Sequence, residues 1–117
     1  MLGEHQVAWK QLREALTESI VIGAAPLTLD ALVGVAQQQV EDGQYLAAAE
    51  LLGFTQSHPA LEIDSSRVAE SVLDRLRNLL PAEHLEAAMK LGSMLELDTV
   101  VENLEVAAVE TLEDPAN

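Results

Sequence analysis

Cysteine is absent from the 117-residue chain. Its absence excludes disulfide staples, thiolate zinc sites, cysteine nucleophiles and thiol redox chemistry, and fits a reducing cytosol. Aromatics are scarce as well, Trp9, Tyr45 and Phe54 being the only ones. A core must then be built from Leu, Val, Ile and Ala, a palette suited to close-packed helices. Positive charge is short: 6 Lys and Arg stand against 20 Asp and Glu, for a formal charge of −14. Such a field repels phosphate backbones and anionic lipid headgroups, so no direct nucleic-acid or membrane contact is expected. The acidity reads either as a solvated, solubilising surface or as attraction to a basic partner. No apolar run approaches the roughly 20 residues of a membrane-spanning helix, and Met1-Leu2-Gly3-Glu4 lacks a basic, apolar signal pattern. A cytoplasmic location is the expectation.

What is present is a 49% hydrophobic chain of single-domain length, patterned at helical spacing. Val7, Ala8, Leu12, Ala15, Leu16 and Ile20 fall on one side of a helix from about Glu4 to Ile22, ended by Gly23. Ala24-Ala25-Pro26 reads as a connection, and a second helix from about Leu27 to Glu41 would bury Leu29, Leu32, Val33, Val35, Ala36 and Val40. After the Asp42-Gly43 stop, a third helix from Gln44 to about Ser57 carries small residues that admit a close neighbour. His58-Pro59 breaks it. Asp64, Ser65 or Ser66 can cap a fourth helix with apolar Val68, Val72, Leu73, Leu76 and Leu79. Pro81 opens a fifth, through Leu85, Ala88 and Met89 to Gly92. The last spans roughly Leu97 to Leu112, burying Val100, Val101, Leu104, Ala107 and Ala108, with a fraying tail from Glu113 to Asn117. The expected fold is all-α, about six helices and no strand.

Catalytic chemistry finds no foothold. His5, His58 and His84 are scattered, without the close helical pairing and third carboxylate of a metal site. Glu83, His84 and Glu86 could be imagined as an acid–base set but read more simply as the polar face of a short helix. No phosphate-cradling glycine loop or serine nucleophile elbow occurs. The chain is therefore read as non-catalytic, without cofactor or metal. Arg67, Arg75 and Arg77 form the only basic concentration, beside Asp74 and Glu70, and read as surface ion pairs of little energy. Gly53 costs its helix about 1 kcal/mol relative to alanine, which points to a close helix crossing.

The chain also repeats itself. Gly3-Glu4-His5-Gln6-Val7-Ala8 aligns with Gly43-Gln44-Tyr45-Leu46-Ala47-Ala48, and Leu12 with Leu52. Here the sequence resembles the tetratricopeptide repeats. Leu32, Val35 and Ala36 stand where a repeat's first helix has its large, large and small residues; Gly43 is at the turn, Ala48 and Leu52 at the small and bulky sites of the second helix, and Pro59 near the terminal proline. Two positions depart: Thr55, where alanine is usual, and Gln39, where an aromatic is common. The C-terminal half is similar to the closing segment of arrays in large bacterial signalling ATPases and LuxR-type activators, with Glu96 in place of the usual Ser or Thr cap. The resemblance implies antiparallel helix pairs in an α-solenoid fragment: a half repeat over 1–23, a full repeat over 27–59 and capping helices over 63–112. The last helix region, with Glu96, Asp98, Glu102, Glu105, Glu110, Glu113 and Asp114 and no Lys or Arg, suits a terminal surface that must not stack further.

The function expected from this reading is a protein-interaction, scaffold or sensor segment of a bacterial signalling or transcription-regulating protein. Gln37, Gln38 and Glu41, on the second helix, would meet a protein or peptide partner. The alternative is a structural cap that homodimerises through the first helix, where Val7, Trp9, Leu12, Leu16 and Ile20 would form an uncovered apolar stripe. Trp9, beside Ala8 and Leu12, reads as core or as an oligomer contact.

Overall fold

The computed structural model describes residues 4–112, and the side chains of residues 6–104. Six helices follow one another: α1 (Glu4–Val21), α2 (Ala25–Glu41), α3 (Tyr45–Ser57), α4 (Ile63–Leu79), α5 (Ala82–Ser93) and α6 (Leu97–Leu112). No strand occurs among the described residues, so the expected all-α class is observed. The expected burial of Ala107 and Ala108, and the tail from Glu113, lie outside the described side chains and residues.

Two glycines set the first two turns. Gly23 and Gly43 have φ of 68° and 80°, a left-handed conformation that other residues adopt only with strain. Each lets the chain reverse within three residues, so α1, α2 and α3 run as antiparallel neighbours. Two helix starts differ from expectation. Pro26 lies inside the first turn of α2, where a missing N–H is harmless, and not in the connection. Glu62, not a serine or aspartate side chain, precedes α4, and no side chain caps it. Ser65 and Ser66 instead use their hydroxyls to tie α4 to its neighbours, donating to Asp30 Oδ1 at 2.9 Å and Gln56 Oε1 at 3.2 Å.

Packing follows a ladder: α1 on α2, α2 on α3 and α4, α3 on α4 and α5, with α4 and α5 barely touching. At its centre is α3, whose residues from Leu51 to Thr55 are all buried along with Ala48 and Ala49. A helix apolar on every side must be surrounded.

The closest crossing is between α3 and α5. A Cβ added at Gly53 would lie 2.5 Å from Met89 Cα and nearer still to its carbonyl oxygen. Reciprocally, a Cβ on Gly92 would overlap the Glu50 carbonyl, 2.7 Å from its carbon. The crossing expected at Gly53 is thus present. Gly92, where the fifth helix was expected to end, is the buried penultimate residue of α5. Leu29, Leu32, Leu52, Leu73 and Leu76 fill the remaining core.

Some expected core positions are not core. Ala15 is exposed on α1, and Val68 and Leu79 are exposed on α4. α6 returns toward the start of the fold. Val100 is buried, and Leu97, Val101 and Leu104 pack partly against the core, between the α1–α2 corner and the beginning of α3.

Candidate functional site

The residues singled out on α2 lie at its C-terminal end, and two of them, Gln38 and Glu41, are engaged within the chain. Gln37 is exposed. The Gln38 side-chain amide faces Asp42 Oδ1 at 3.4 Å. Glu41 accepts from Arg75 of α4 at 2.9 Å, a solvent-exposed pair of the kind that contributes less than about 1 kcal/mol. Arg77, by contrast, pairs with Asp74 of its own helix and more distantly with Glu70.

The stripe on α1 divides. Leu16 is buried and Leu12 half-buried, the latter with Cδ2 2.6 Å from where a Cβ on Gly34 would stand, so α2 covers both. Val7 and Ile20 remain exposed. Trp9 packs its ring partly on the core and donates its indole N–H to Asp42 Oδ2 at 2.9 Å. The stripe is therefore left uncovered only at its ends, Val7 and Ile20, because Leu12 and Leu16 are spent on intramolecular packing. The outer positions of α1, Lys10, Gln11, Glu14, Thr17 and Glu18, are polar and exposed.

Exposed apolar surface gathers at the α1–α2 corner. Val21 is 79% exposed and Ile22 68%, with Ile20 and Leu27 beside them in the chain. The sequence signal for this was the run Ile20-Val21-Ile22 before a glycine. Three consecutive positions spread over about 200° of helix circumference and cannot all face one neighbour. The corner borders an open cleft of about 480 Å³ walled by Ile20, Ala25 and Thr28 on one side and by Leu97, Asp98, Val101 and Glu102 of α6 on the other. Beneath it the buried hydroxyls are satisfied: Thr28 donates to Ser19 Oγ at 2.8 Å, and Ser19 to the Leu16 carbonyl at 2.8 Å.

On the opposite flank of α6 is a smaller cavity of about 170 Å³, lined by Gln39, Glu50 and Asn103 and by Leu51, Leu95 and Leu104. Gln39 is 7% exposed, and no protein group donates to its buried Oε1. Of the two departures from the repeat pattern, Thr55 is accommodated, its hydroxyl donating to the Leu52 carbonyl at 3.1 Å. Gln39 is not.

Among the described residues no group of three or more His, Asp or Glu side chains is placed to hold a metal ion. His58 stacks edgewise on Phe54 and its Nδ1 accepts from the Ala60 backbone N–H at 3.1 Å, while His84 is exposed on α5; the side chain of His5 lies outside the described residues. No described helix is long and apolar enough to cross a membrane. Compared with protein-family models, curated proteins and solved structures, the chain matches none.

Proposed function

We propose that this chain is a non-catalytic protein-interaction segment, a fragment of a tetratricopeptide-like array that serves as scaffold or sensor in a bacterial signalling or transcription-regulating protein. The observation that carries the reading is the exposed apolar corner of Ile20, Val21, Ile22 and Leu27, of which Ile20 lines the cleft beside α6. Large branched side chains exposed to water beside a groove mark a surface that another polypeptide covers. The groove is walled by helices, so the matching partner element is an amphipathic segment laid along it. The assignment to signalling or transcription rests on the sequence resemblance alone.

The test is cross-linking from the corner. A photoreactive residue at Ile22 should capture a polypeptide in cells expressing the chain, and the same residue at the exposed, polar Gln11 of α1 should not. Capture of a second copy, together with a dimer mass in light scattering, would make the surface a self-association site and replace the scaffold reading with the homodimer. Equal labelling from both positions would sink the proposal.

A further inference from the structure

We infer that the cleft between the α1–α2 corner and α6 receives a cationic amphipathic helix of a partner protein, its apolar stripe on Ile20, Leu97 and Val101 and its Lys or Arg side chains against Asp98 and Glu102. The inference rests on the interaction reading above and supplies the chemistry of the partner. Its foundation is the α6 wall, which carries two rows. Leu97 and Val101 stand four residues apart, and so do Asp98 and Glu102, so each pair shares a face of the helix with about 5–6 Å between Cβ atoms. The first pair is half-buried and the second exposed. Ile20, 41% exposed, lines the same cleft from α1. Apolar surface and two carboxylates therefore border one open space of about 480 Å³.

Charge decides which helix enters. No Lys or Arg lines the cleft, and none follows Lys90 in the sequence. Elsewhere the acidic side chains facing arginines are paired, Glu41 with Arg75 and Asp74 with Arg77. Asp98 and Glu102 have no ion-pair or hydrogen-bond partner among the described residues. An acidic helix would meet both carboxylates with like charge, and an uncharged one would leave them unpaired as it displaced water from the cleft. Lys and Arg suit both rows, because their stems lie on apolar surface while their heads reach a carboxylate. A second copy of this chain is a poor occupant. Each copy has a formal charge of −14, and in its only basic concentration, Arg67, Arg75 and Arg77, the last two are already paired.

The experiment is a ¹H–¹⁵N titration of the full chain with a synthetic amphipathic peptide, two copies of Leu-Lys-Lys-Leu-Leu-Lys-Leu, and with its counterparts carrying Gln or Glu in place of every Lys. The backbone amides of Ile20, Gly23 and Val101 should move saturably with the Lys peptide and far less with the other two. Asp98→Asn with Glu102→Gln, which keeps shape and removes charge, should weaken the Lys peptide about tenfold. Glu102→Gln alone, clear of the first turn of α6, should weaken it about threefold with a native spectrum. Glu83→Gln with Glu86→Gln, an exposed pair on α5, should change little. Equal weakening by the two double variants would reduce the effect to net charge and overturn the cleft as the cationic site. Equal binding of the Gln or Glu peptide at the cleft refutes the cationic partner and leaves the interaction surface standing. Movement of the same amides with protein concentration alone assigns the cleft to a second copy and overturns the inference. No shift with any peptide also overturns it, while capture from Ile22 tests the interaction reading separately.

Discussion

Gly53 of α3 and Met89 of α5 meet backbone to backbone, with no room for a single methyl group between them. Gly92 repeats the arrangement against Glu50, so two glycines on facing helices bring the axes together. Each glycine forgoes about 1 kcal/mol of helix propensity, and the gain is close packing along the most extensive helix contact of the fold.

Replacing either glycine by alanine should therefore destabilise despite the better propensity. A backbone cannot yield as a side chain can, and Gly53→Ala and Gly92→Ala should each lose about 2 kcal/mol or more in urea unfolding. Gly34→Ala is the contrast. Its added methyl would meet only the end of the Leu12 side chain, 2.6 Å away, which can rotate, so its effect should stay within about 1 kcal/mol. Equal losses at all three positions would contradict the crossing.

Trp9 and Asp42 couple α1 to the end of α2 through one hydrogen bond. Trp9→Phe keeps a ring on the core and removes the donor. It should cost about 1 kcal/mol, and its loss and that of Asp42→Ala, which also releases the Gln38 amide, should sum to more than the loss in the double variant, a non-additivity that a double-mutant cycle in urea would measure. Full additivity would show that the bond contributes nothing in solution.

The divided stripe on α1 gives a graded prediction. Leu16→Ala removes a side chain 5% exposed and should cost about 2–4 kcal/mol, whereas Ile20→Ala, at 41% exposed, should cost less than about 1. If a second copy covered the stripe, the loss at Ile20 would instead grow with protein concentration, as oligomer linkage requires.

Gln39→Leu should stabilise the fold. It removes an unsatisfied buried acceptor and keeps apolar bulk against α6, so a gain of about 1 kcal/mol in thermal or urea unfolding is expected. A loss of stability would mean that the amide makes a bond that the fold depends on.

The helices were readable from the sequence because their signals are local. Spacing of Leu, Val and Ala at the helical period, glycine at two turns and proline at a helix start act within a few residues, and α6 was expected at the bounds it has. Even the close crossing at Gly53 announced itself, since a glycine inside a helix requires a compensating contact. Its partner Gly92 did not, because a glycine near a helix end reads equally well as a stop.

The tertiary structure alone decided which apolar faces are covered. Periodicity places Leu12, Leu16 and Ile20 on one side of α1, yet only docking onto α2 separates the first two from the third. The return of α6 onto the α1–α2 corner is likewise a long-range event. It creates both the cleft and the cavity around Gln39, and no local rule encodes it, because a residue's burial depends on what arrives from elsewhere in the chain. The sequence by itself thus determined an acidic, all-helical chain without thiol chemistry. Tertiary packing chose where that chain offers a surface, since an exposed corner and an unpaired amide exist only once every other face has found its neighbour.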